Sequence, residues 1–286
     1  MDMSYKIMSP EDLRQMQLIQ LEMLLEVERI CKKCNIKYCI IAGTLLGAVR
    51  HKGYIPWDDD ADVAMLRGEY EKFCKACETE LDTTRFYFQN HLNTPGYRWG
   101  YGKIRRVGTE FIRKGQEHMP YKSGVFIDIF PLDNVPNNVY IRKIHNFACT
   151  VIRKMLWSAV GAKCDKNMLM RCIYMLISIV PRNLIFSLYN KLMIVSNKKN
   201  TEMVRILTFP TPDNGYYGYY KRWYMELQNI EFEGYYFPGP KDYDGYLTFK
   251  FGNYKELPPI EQRQGHSFNR YKLVPVEIEQ VRTNKD

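Results

Sequence analysis

Tyr38-Cys39-Ile40-Ile41-Ala42-Gly43-Thr44-Leu45-Leu46-Gly47-Ala48-Val49-Arg50-His51-Lys52-Gly53-Tyr54-Ile55-Pro56-Trp57-Asp58-Asp59-Asp60-Ala61-Asp62-Val63 decides the reading of this chain. Its apolar start, Tyr38 to Ala42, predicts a short buried strand. Gly43-Thr44 follows, then a brief helix over Leu45 to Arg50 whose free N–H groups suit phosphate oxygens. Ile55-Pro56-Trp57 turns the chain into a second strand, Asp60 to Leu66. Four carboxylates fall within the five residues 58–62. Such a cluster repels itself unless a cation sits among it, and the simplest is a hard metal that prefers oxygen ligands. The strand period of two points Asp58, Asp60 and Asp62 one way and Ala61 and Val63 into the core. Asp59 faces away or lies in the bend.

Upstream, Ser9-Pro10-Glu11-Asp12 predicts a capped helix start. Met16, Met23, Val27, Ile30 and Cys34 continue it at helical spacing as far as Asn35. Downstream, Glu69 to Leu81 predicts a surface helix with Tyr70, Phe73, Cys77 and Leu81 inward. Phe86 to Asn90, Gly102 to Arg106 and Glu110 to Arg113 predict short strands. Gly124 to Phe130 is a stronger strand with one acid, Asp128, in an apolar run, ended by Pro131-Leu132-Asp133. A buried carboxylate must be paired, protonated or metal-bound. Residues 138–200 read as helices. Two apolar stretches there, Met168 to Val180 and Leu184 to Val195, flank Pro181-Arg182-Asn183 as a hairpin or lid. From Phe209 on the chain is turn-rich and aromatic, with turns at Pro210-Thr211-Pro212-Asp213 and Phe237-Pro238-Gly239-Pro240. Ile230 to Tyr236 is the one predictable strand.

With 286 residues the chain can bury a full core. Met1-Asp2-Met3-Ser4-Tyr5-Lys6 lacks a basic stretch leading into an apolar one, so no signal peptide is expected. The eight cysteines are then expected as free thiols in a reducing compartment. Cys31-Lys32-Lys33-Cys34 and Cys74-Lys75-Ala76-Cys77 are CxxC pairs, but both fall in helical patterns, which favours core packing over a zinc site. The net charge of +9 is uneven. Residues 138–200 hold eleven Lys and Arg against Asp165 alone, so the basicity belongs to that segment. It reads as a face that binds nucleic acid, as a solvated helical face, or, the preferred reading, as a surface for the anionic cytoplasmic leaflet. Neither of its apolar stretches is long enough to cross a membrane.

A glycine-hydroxyl pair after a strand, spaced acids on the next and a lone acid on a later one suit two-metal phosphoryl chemistry. Gly43-Thr44 with Asp60-Ala61-Asp62-Val63 resembles the motif of the nucleotidyltransferase (polymerase-β-like) superfamily. Residues 43–62 resemble the signature of the LicD family, the bacterial phosphocholine transferases related to fukutin and fukutin-related protein. Phe126-Ile127-Asp128-Ile129-Phe130-Pro131-Leu132-Asp133 and Phe251-Gly252-Asn253-Tyr254 with Leu257-Pro258-Pro259, Arg263 and His266 extend the likeness over most of the chain.

That resemblance implies an α/β (α+β) fold: a nucleotidyltransferase-like mixed-sheet core with an N-terminal helix and a basic helical insertion. The chain divides into a core (1–137), the insertion or lid (138–208), and an aromatic segment completing the core and the acceptor site (209–286). It implies a phosphotransferase moving phosphocholine from CDP-choline, or another CDP-alcohol such as CDP-ribitol, onto a glycan hydroxyl, with CMP leaving. The acceptor would be lipopolysaccharide, teichoic acid or a lipid-linked precursor. Asp60, Asp62 and Asp128 would be the catalytic and metal carboxylates, with Asp58 an additional ligand, and the ion Mg²⁺ with Mn²⁺ as alternative. Asp128 would also accept the acceptor's proton. Gly43, Thr44, Arg50, His51, Lys52, Trp57, Lys103 and Arg105 form the candidate donor site; a solvated basic loop is the alternative for Arg50, His51 and Lys52, salt bridging for Lys103 and Arg105, and turn anchoring for Trp57. Tyr254, Arg263 and His266 are a candidate substrate site without assignable roles. The expected location is cytoplasmic, peripheral on the inner membrane face, with no nucleic-acid partner. Attachment of a nucleotide with release of pyrophosphate, glycosyl transfer from a sugar nucleotide, and a non-enzymatic binding role remain rival readings.

Overall fold

The computed structural model describes residues 8–212, 215–276 and 278. The segment Met1–Lys6 and Asp213, discussed above, lie outside them. Helix α1 (Pro10–Lys33) starts where Ser9 caps it: the Asp12 N–H donates to Ser9 Oγ at 3.1 Å. Met16, Met23, Val27 and Ile30 are fully buried along its inner face. Asn35 follows it in the left-handed region, φ +50°, which asparagine tolerates. Strand β1 is only Cys39–Ile40. The predicted strand ends early because Ala42 opens helix α2 (Ala42–His51). Gly43 and Thr44 therefore form its first turn rather than precede it.

Strand β2 (Asp62–Leu66) leads directly into α3 (Arg67–Glu80), followed by β3 (Phe86–Gln89), β4 (Gly102–Arg106), β5 (Glu110–Arg113) and β6 (Phe126–Val135). The central sheet runs β1-β2-β6-β4-β3. Only β2 and β6 pair in parallel; the other neighbours are antiparallel. Strand β6 does not stop at Pro131. Its antiparallel ladder to β4 ends at Ile129, and a further antiparallel partner off that path, β7 (Met203–Arg205), pairs from Asp133. Pro131 sits in the gap between these partners, so its missing N–H interrupts neither ladder.

Helices α4 (Val139–Cys164), α5 (Met168–Ser178) and α6 (Arg182–Asn197) occupy the excursion between β6 and β7. Cys149, Ile152, Leu156, Ile185, Phe186, Tyr189 and Leu207 form its own small core. Arg182 ties it to the main body, donating to the carbonyls of Tyr97 and His91 at 2.6 and 2.5 Å. No single helix among the described residues is long and apolar enough to cross a membrane; α5 and α6 pass that test only together, and they meet at 90°.

Beyond β8 (Tyr219–Tyr220), β9 (Leu227–Phe232) and β10 (Tyr235–Pro240) form a hairpin. The predicted strand Ile230 to Tyr236 is thus two half-strands read across a turn. Glu233 and Gly234 both take positive φ, +53° and +79°, the conformation that matches strand twist in a two-residue hairpin. Phe237 to Pro240, expected as a turn, is the second strand. Helix α7 (Tyr243–Phe251) follows, and β11 (Phe268–Lys272) pairs back with β5. Cys31 and Cys34 on α1 and Cys74 and Cys77 on α3 are free thiols. Burial, then the nearby thiol of Cys74, pushes Cys77 upward. Protonated thiols at helix positions pack like small apolar side chains.

Candidate active site

Two neighbouring parallel strands bring the acids together. In register, Asp62 on β2 stands opposite Asp128 on β6, and such strands lie about 4.8 Å apart. The Asp128 N–H donates to the Ala61 carbonyl at 2.9 Å. The start of α2 fixes the same corner: the Asp62 N–H donates to Thr44 Oγ1 at 2.8 Å. The accepting oxygen leaves Thr44's own hydroxyl proton to donate elsewhere. Asp58 lies against the first turn of α2, where a Cβ added to Gly43 would sit 2.7 Å from Asp58 Oδ2. Gly43 is thus a gap kept for a carboxylate.

Strand β2 begins at Asp62, so Asp58 and Asp60 reach the cluster from the loop before it rather than by strand alternation. Asp59, expected to face away or lie in the bend, lies in that loop but does not face away. Its carboxylate accepts from the His266 N–H at 2.9 Å and contacts His266 Nδ1 at 2.6 Å. Asp60 Oδ2 is 3.6 Å from the same Nδ1 and 3.2 Å from Arg113 Nη2. Asp59, Asp60 and His266 each offer a ligand atom within 4.8 Å of the others.

Burial pushes the Asp58 carboxyl well above the usual carboxylate range, and Asp60 and Asp59 push it further. Asp62 is raised in the same way, by burial first and then by Asp60, Asp128 and Asp58. Two charges 4 Å apart repel by roughly 4 kcal/mol at an effective dielectric of 20. The chain offsets part of this, with Arg113 on Asp60, His266 on Asp59 and Lys103 on Asp128. Lys103, buried between β6 and β3, hydrogen-bonds Asp128. Its Nζ lies 3.3 Å from the centre of the Phe126 ring. Burial lowers the Lys103 ammonium to about 7, against the pull of Asp128 and with Arg105 and Arg113 adding to the fall. A divalent cation fits this oxygen-rich, self-repelling set.

The predicted donor residues fall into two groups. Gly43, Thr44 and Lys103 border the acids. Arg50, His51 and Lys52 lie at the opposite end of α2, seven residues on and about 10 Å along the axis. There Arg50 Nη1 donates to the Tyr254 and Glu256 carbonyls at 3.0 and 3.2 Å, and its Nε to His51 Nε2 at 3.0 Å. Burial and then Arg263 lower Arg50; burial and then Arg50 lower His51. Trp57 meets this group, edge-on to His51 and 5.3 Å beneath the Arg263 guanidinium. Lys52 is exposed, the left-handed cap of α2. Arg105 is held within the fold, donating to Gln89 Oε1 and the Gly124 carbonyl, both at 2.6 Å. The Tyr254 hydroxyl donates to Asp244 at 2.6 Å, away from the acids, whereas His266 joins them directly. Arg113 and Lys250, the latter a cation felt by Asp62, are site residues with no sequence motif to mark them.

Beside the acids lies a cavity of about 1150 Å³. Lys103, Arg113 and His266 border it on the sheet side; Arg153, Lys154 and Trp157 of α4 form the facing wall. The segment that carries the chain's excess basicity thus lines the site. A Gly43→Ala substitution should lower activity tenfold or more by displacing Asp58. Its Tm should move by less than about 3 °C, because alanine's helix propensity of roughly 1 kcal/mol offsets the crowding. An unchanged rate would show that Asp58 needs no such gap.

Residues 35–154 match the family described as LicD/FKTN/FKRP, nucleotidyltransferase domain. Lipopolysaccharide cholinephosphotransferase LicD of Haemophilus influenzae is 31% identical over 275 residues, 89% of this chain and 95% of that enzyme. Uncharacterized proteins of Rickettsia prowazekii and Rickettsia typhi are each 49% identical over 45 residues, 16% of this chain and 17% and 15% of theirs. The Haemophilus match extends far beyond the acidic motif and takes in nearly the whole of both proteins. The chain therefore belongs to the LicD family of phosphotransferases.

Proposed function

We propose that this enzyme transfers phosphocholine, or another phospho-alcohol, from a CDP-activated donor to a hydroxyl of a cell-surface glycan or its lipid-linked precursor, and that it requires Mg²⁺ or Mn²⁺. The observation that carries this reading is the apposition of half-buried Asp62 and buried Asp128 with Asp58 beside them, two of these carboxyls raised by desolvation and mutual repulsion. The Haemophilus relative, named a lipopolysaccharide cholinephosphotransferase, supports phosphocholine as the cargo and a lipopolysaccharide sugar as the acceptor. The core is taken to be nucleotidyltransferase-like, with α4 to α6 as its lid.

Asp58, Asp60, Asp62 and Asp128 would hold the metal, with Asp59 and His266 adjoining. Bound there, it would neutralise donor phosphate oxygens and the leaving phosphate. The first-turn N–H groups of α2 and the Thr44 hydroxyl orient the donor phosphates. The acceptor hydroxyl oxygen attacks the choline-bearing phosphorus, and the bond from that phosphorus to the CMP oxygen breaks. Asp128 takes the hydroxyl proton. Lys103, lowered to about 7, gives up its hold on Asp128 at neutral pH more readily than an ordinary lysine. The cavity offers aromatic and basic walls for the acceptor. The reaction is assigned to the cytoplasmic side, at the inner face of the membrane.

The test is product analysis with CDP-choline and a lipopolysaccharide acceptor. CMP should appear in step with choline-phosphate on the glycan, stop on addition of EDTA, and return with Mg²⁺. Pyrophosphate release from a nucleoside triphosphate would favour nucleotidyl transfer instead, and a nucleoside diphosphate from a sugar nucleotide would favour glycosyl transfer.

A further inference from the structure

Helix α5, Met168-Leu169-Met170-Arg171-Cys172-Ile173-Tyr174-Met175-Leu176-Ile177-Ser178, has one charged residue, and Tyr174 is its one buried side chain. A helix apolar all round belongs inside a core or a bilayer. Here Tyr174 packs on Gly161 of α4, where an added Cβ would lie 2.5 Å from the ring, and the other faces stay open. Leu176 is 69% exposed and Leu169 likewise. Helix α4 adds Tyr140, Ile144, Phe147 and Val151, spaced as one helical stripe and exposed, opposite its buried His145, Cys149, Ile152 and Leu156. Helix α6 adds Leu184, Leu188 and Val195 at the same kind of spacing. Of the 25 large apolar side chains exposed among the described residues, 16 lie between 139 and 195. They form a concentration, not the scatter usual on a monomer.

The charges around them have one sign. Lys143, Lys166, Lys191, Lys198 and Lys199 are exposed, and Asp165 is the only acid between 138 and 200. Open apolar surface calls for a non-aqueous neighbour, and unopposed lysines call for an anionic one. A bilayer with anionic headgroups is both at once. No single helix of this segment is long enough to cross it: α5 has eleven residues and meets α6 at 90°, whereas a spanning helix needs about twenty.

We propose that α4, α5 and α6 form a docking surface for an anionic bilayer, with α5 lying in the interface plane and the lysines at the headgroups. Trp157 of α4, Tyr174 of α5 and Lys166 in the connection between them also wall the 1150 Å³ cavity. Docking therefore holds the cavity beside the membrane, where a lipid-held acceptor is in reach; that last clause rests on the transferase reading, and the docking itself does not.

The full chain is sedimented with vesicles of phosphatidylglycerol and phosphatidylethanolamine, and with vesicles of phosphatidylcholine alone. Binding should be at least ~10-fold stronger to the anionic vesicles and should weaken as salt shortens the Debye length from about 10 Å at 0.1 M to about 3 Å at 1 M. Leu169→Glu with Leu176→Glu should reduce it by ~10-fold or more, since each leucine forfeits its apolar transfer, at unchanged Tm. Affinity of the same variant for CDP-choline, measured by calorimetry, should equal that of the parent. That readout separates failure of docking from failure of the transferase reading. Absence of binding to anionic vesicles, or equal binding by the variant, overturns the proposal. So does a dimer, seen by light scattering, that the two substitutions dissociate while vesicle binding is absent.

Discussion

Asp62→Asn should cost at least ~10³-fold in transfer rate while making the metal-free protein more stable, because the proposed metal role of that carboxylate would carry several kcal/mol of electrostatic stabilisation of the transition state. The two halves of this expectation have one cause. Asp62 is half-buried and crowded by Asp60, Asp128 and Asp58. In the folded chain its carboxyl holds its proton well above the ordinary value of 3.8. As pH rises through the interval between 3.8 and the raised folded value, the folded state is penalised for ionising and the unfolded state is not. Stability present at the acid end of that interval is therefore lost at its alkaline end. Asparagine does not titrate, so the Tm advantage of the variant should be nil at the acid end, grow through the interval and level off above it. Mg²⁺ should reverse the order by stabilising the parent more than the variant. The Asp62 N–H bond to Thr44 Oγ1 is made by the backbone, so the variant keeps its corner of the fold. Thermal melts from acid to alkaline pH, with and without Mg²⁺, and CMP release together check this. Full transfer by the variant, or a stability difference that is flat with pH, would refute it.

Arg67→Leu should destabilise the fold by about 3–5 kcal/mol without touching a predicted site residue. Asp133 is fully buried. Arg67 Nε and Nη2 donate to its two oxygens at 2.7 and 2.6 Å, and Asn197 Nδ2 donates to Oδ1 at 2.7 Å. Arg67 also donates to the Tyr189 hydroxyl at 3.1 Å. Four elements meet here: the start of α3, the end of β6, and α6 through Tyr189 and Asn197, with β7 in register at Arg205. Removing the guanidinium leaves a carboxylate that no solvent reaches, and the cost is that uncompensated charge rather than the lost attraction. The double variant Arg67→Leu with Asp133→Leu should accordingly recover at least half of the loss. Urea unfolding of the three proteins measures it. A loss under about 1 kcal/mol in the single variant would mean that water reaches Asp133.

The family and the candidate residues were legible in the sequence because they are carried by short-range pattern. The spaced aspartates, Gly43-Thr44, the lone Asp128 in an apolar run and the basic block 138–200 can all be read within windows of a few residues, as can α1, β4 and β5 from their periodicity and caps. Local propensity misled where a long-range partner decided the backbone. Pro131 looks like a strand end until β7 takes over from β4, and Ile230 to Tyr236 looks like one strand until Glu233-Gly234 folds it on itself. The same limit applies at the site. Asp59 is indistinguishable from its neighbours until His266, 207 positions later, reaches its carboxylate. Arg50 to Lys52 follow Gly43-Thr44 closely along the chain, yet the rise of α2 carries them to its other end. Arg113 and Lys250 have no motif and join the acids only when β5 and α7 are in place. Spacing along a chain determines which groups can share a helix or strand face. Which faces then meet, and which carboxylates are crowded together, depends on packing between segments far apart in sequence, and tertiary structure alone decided that.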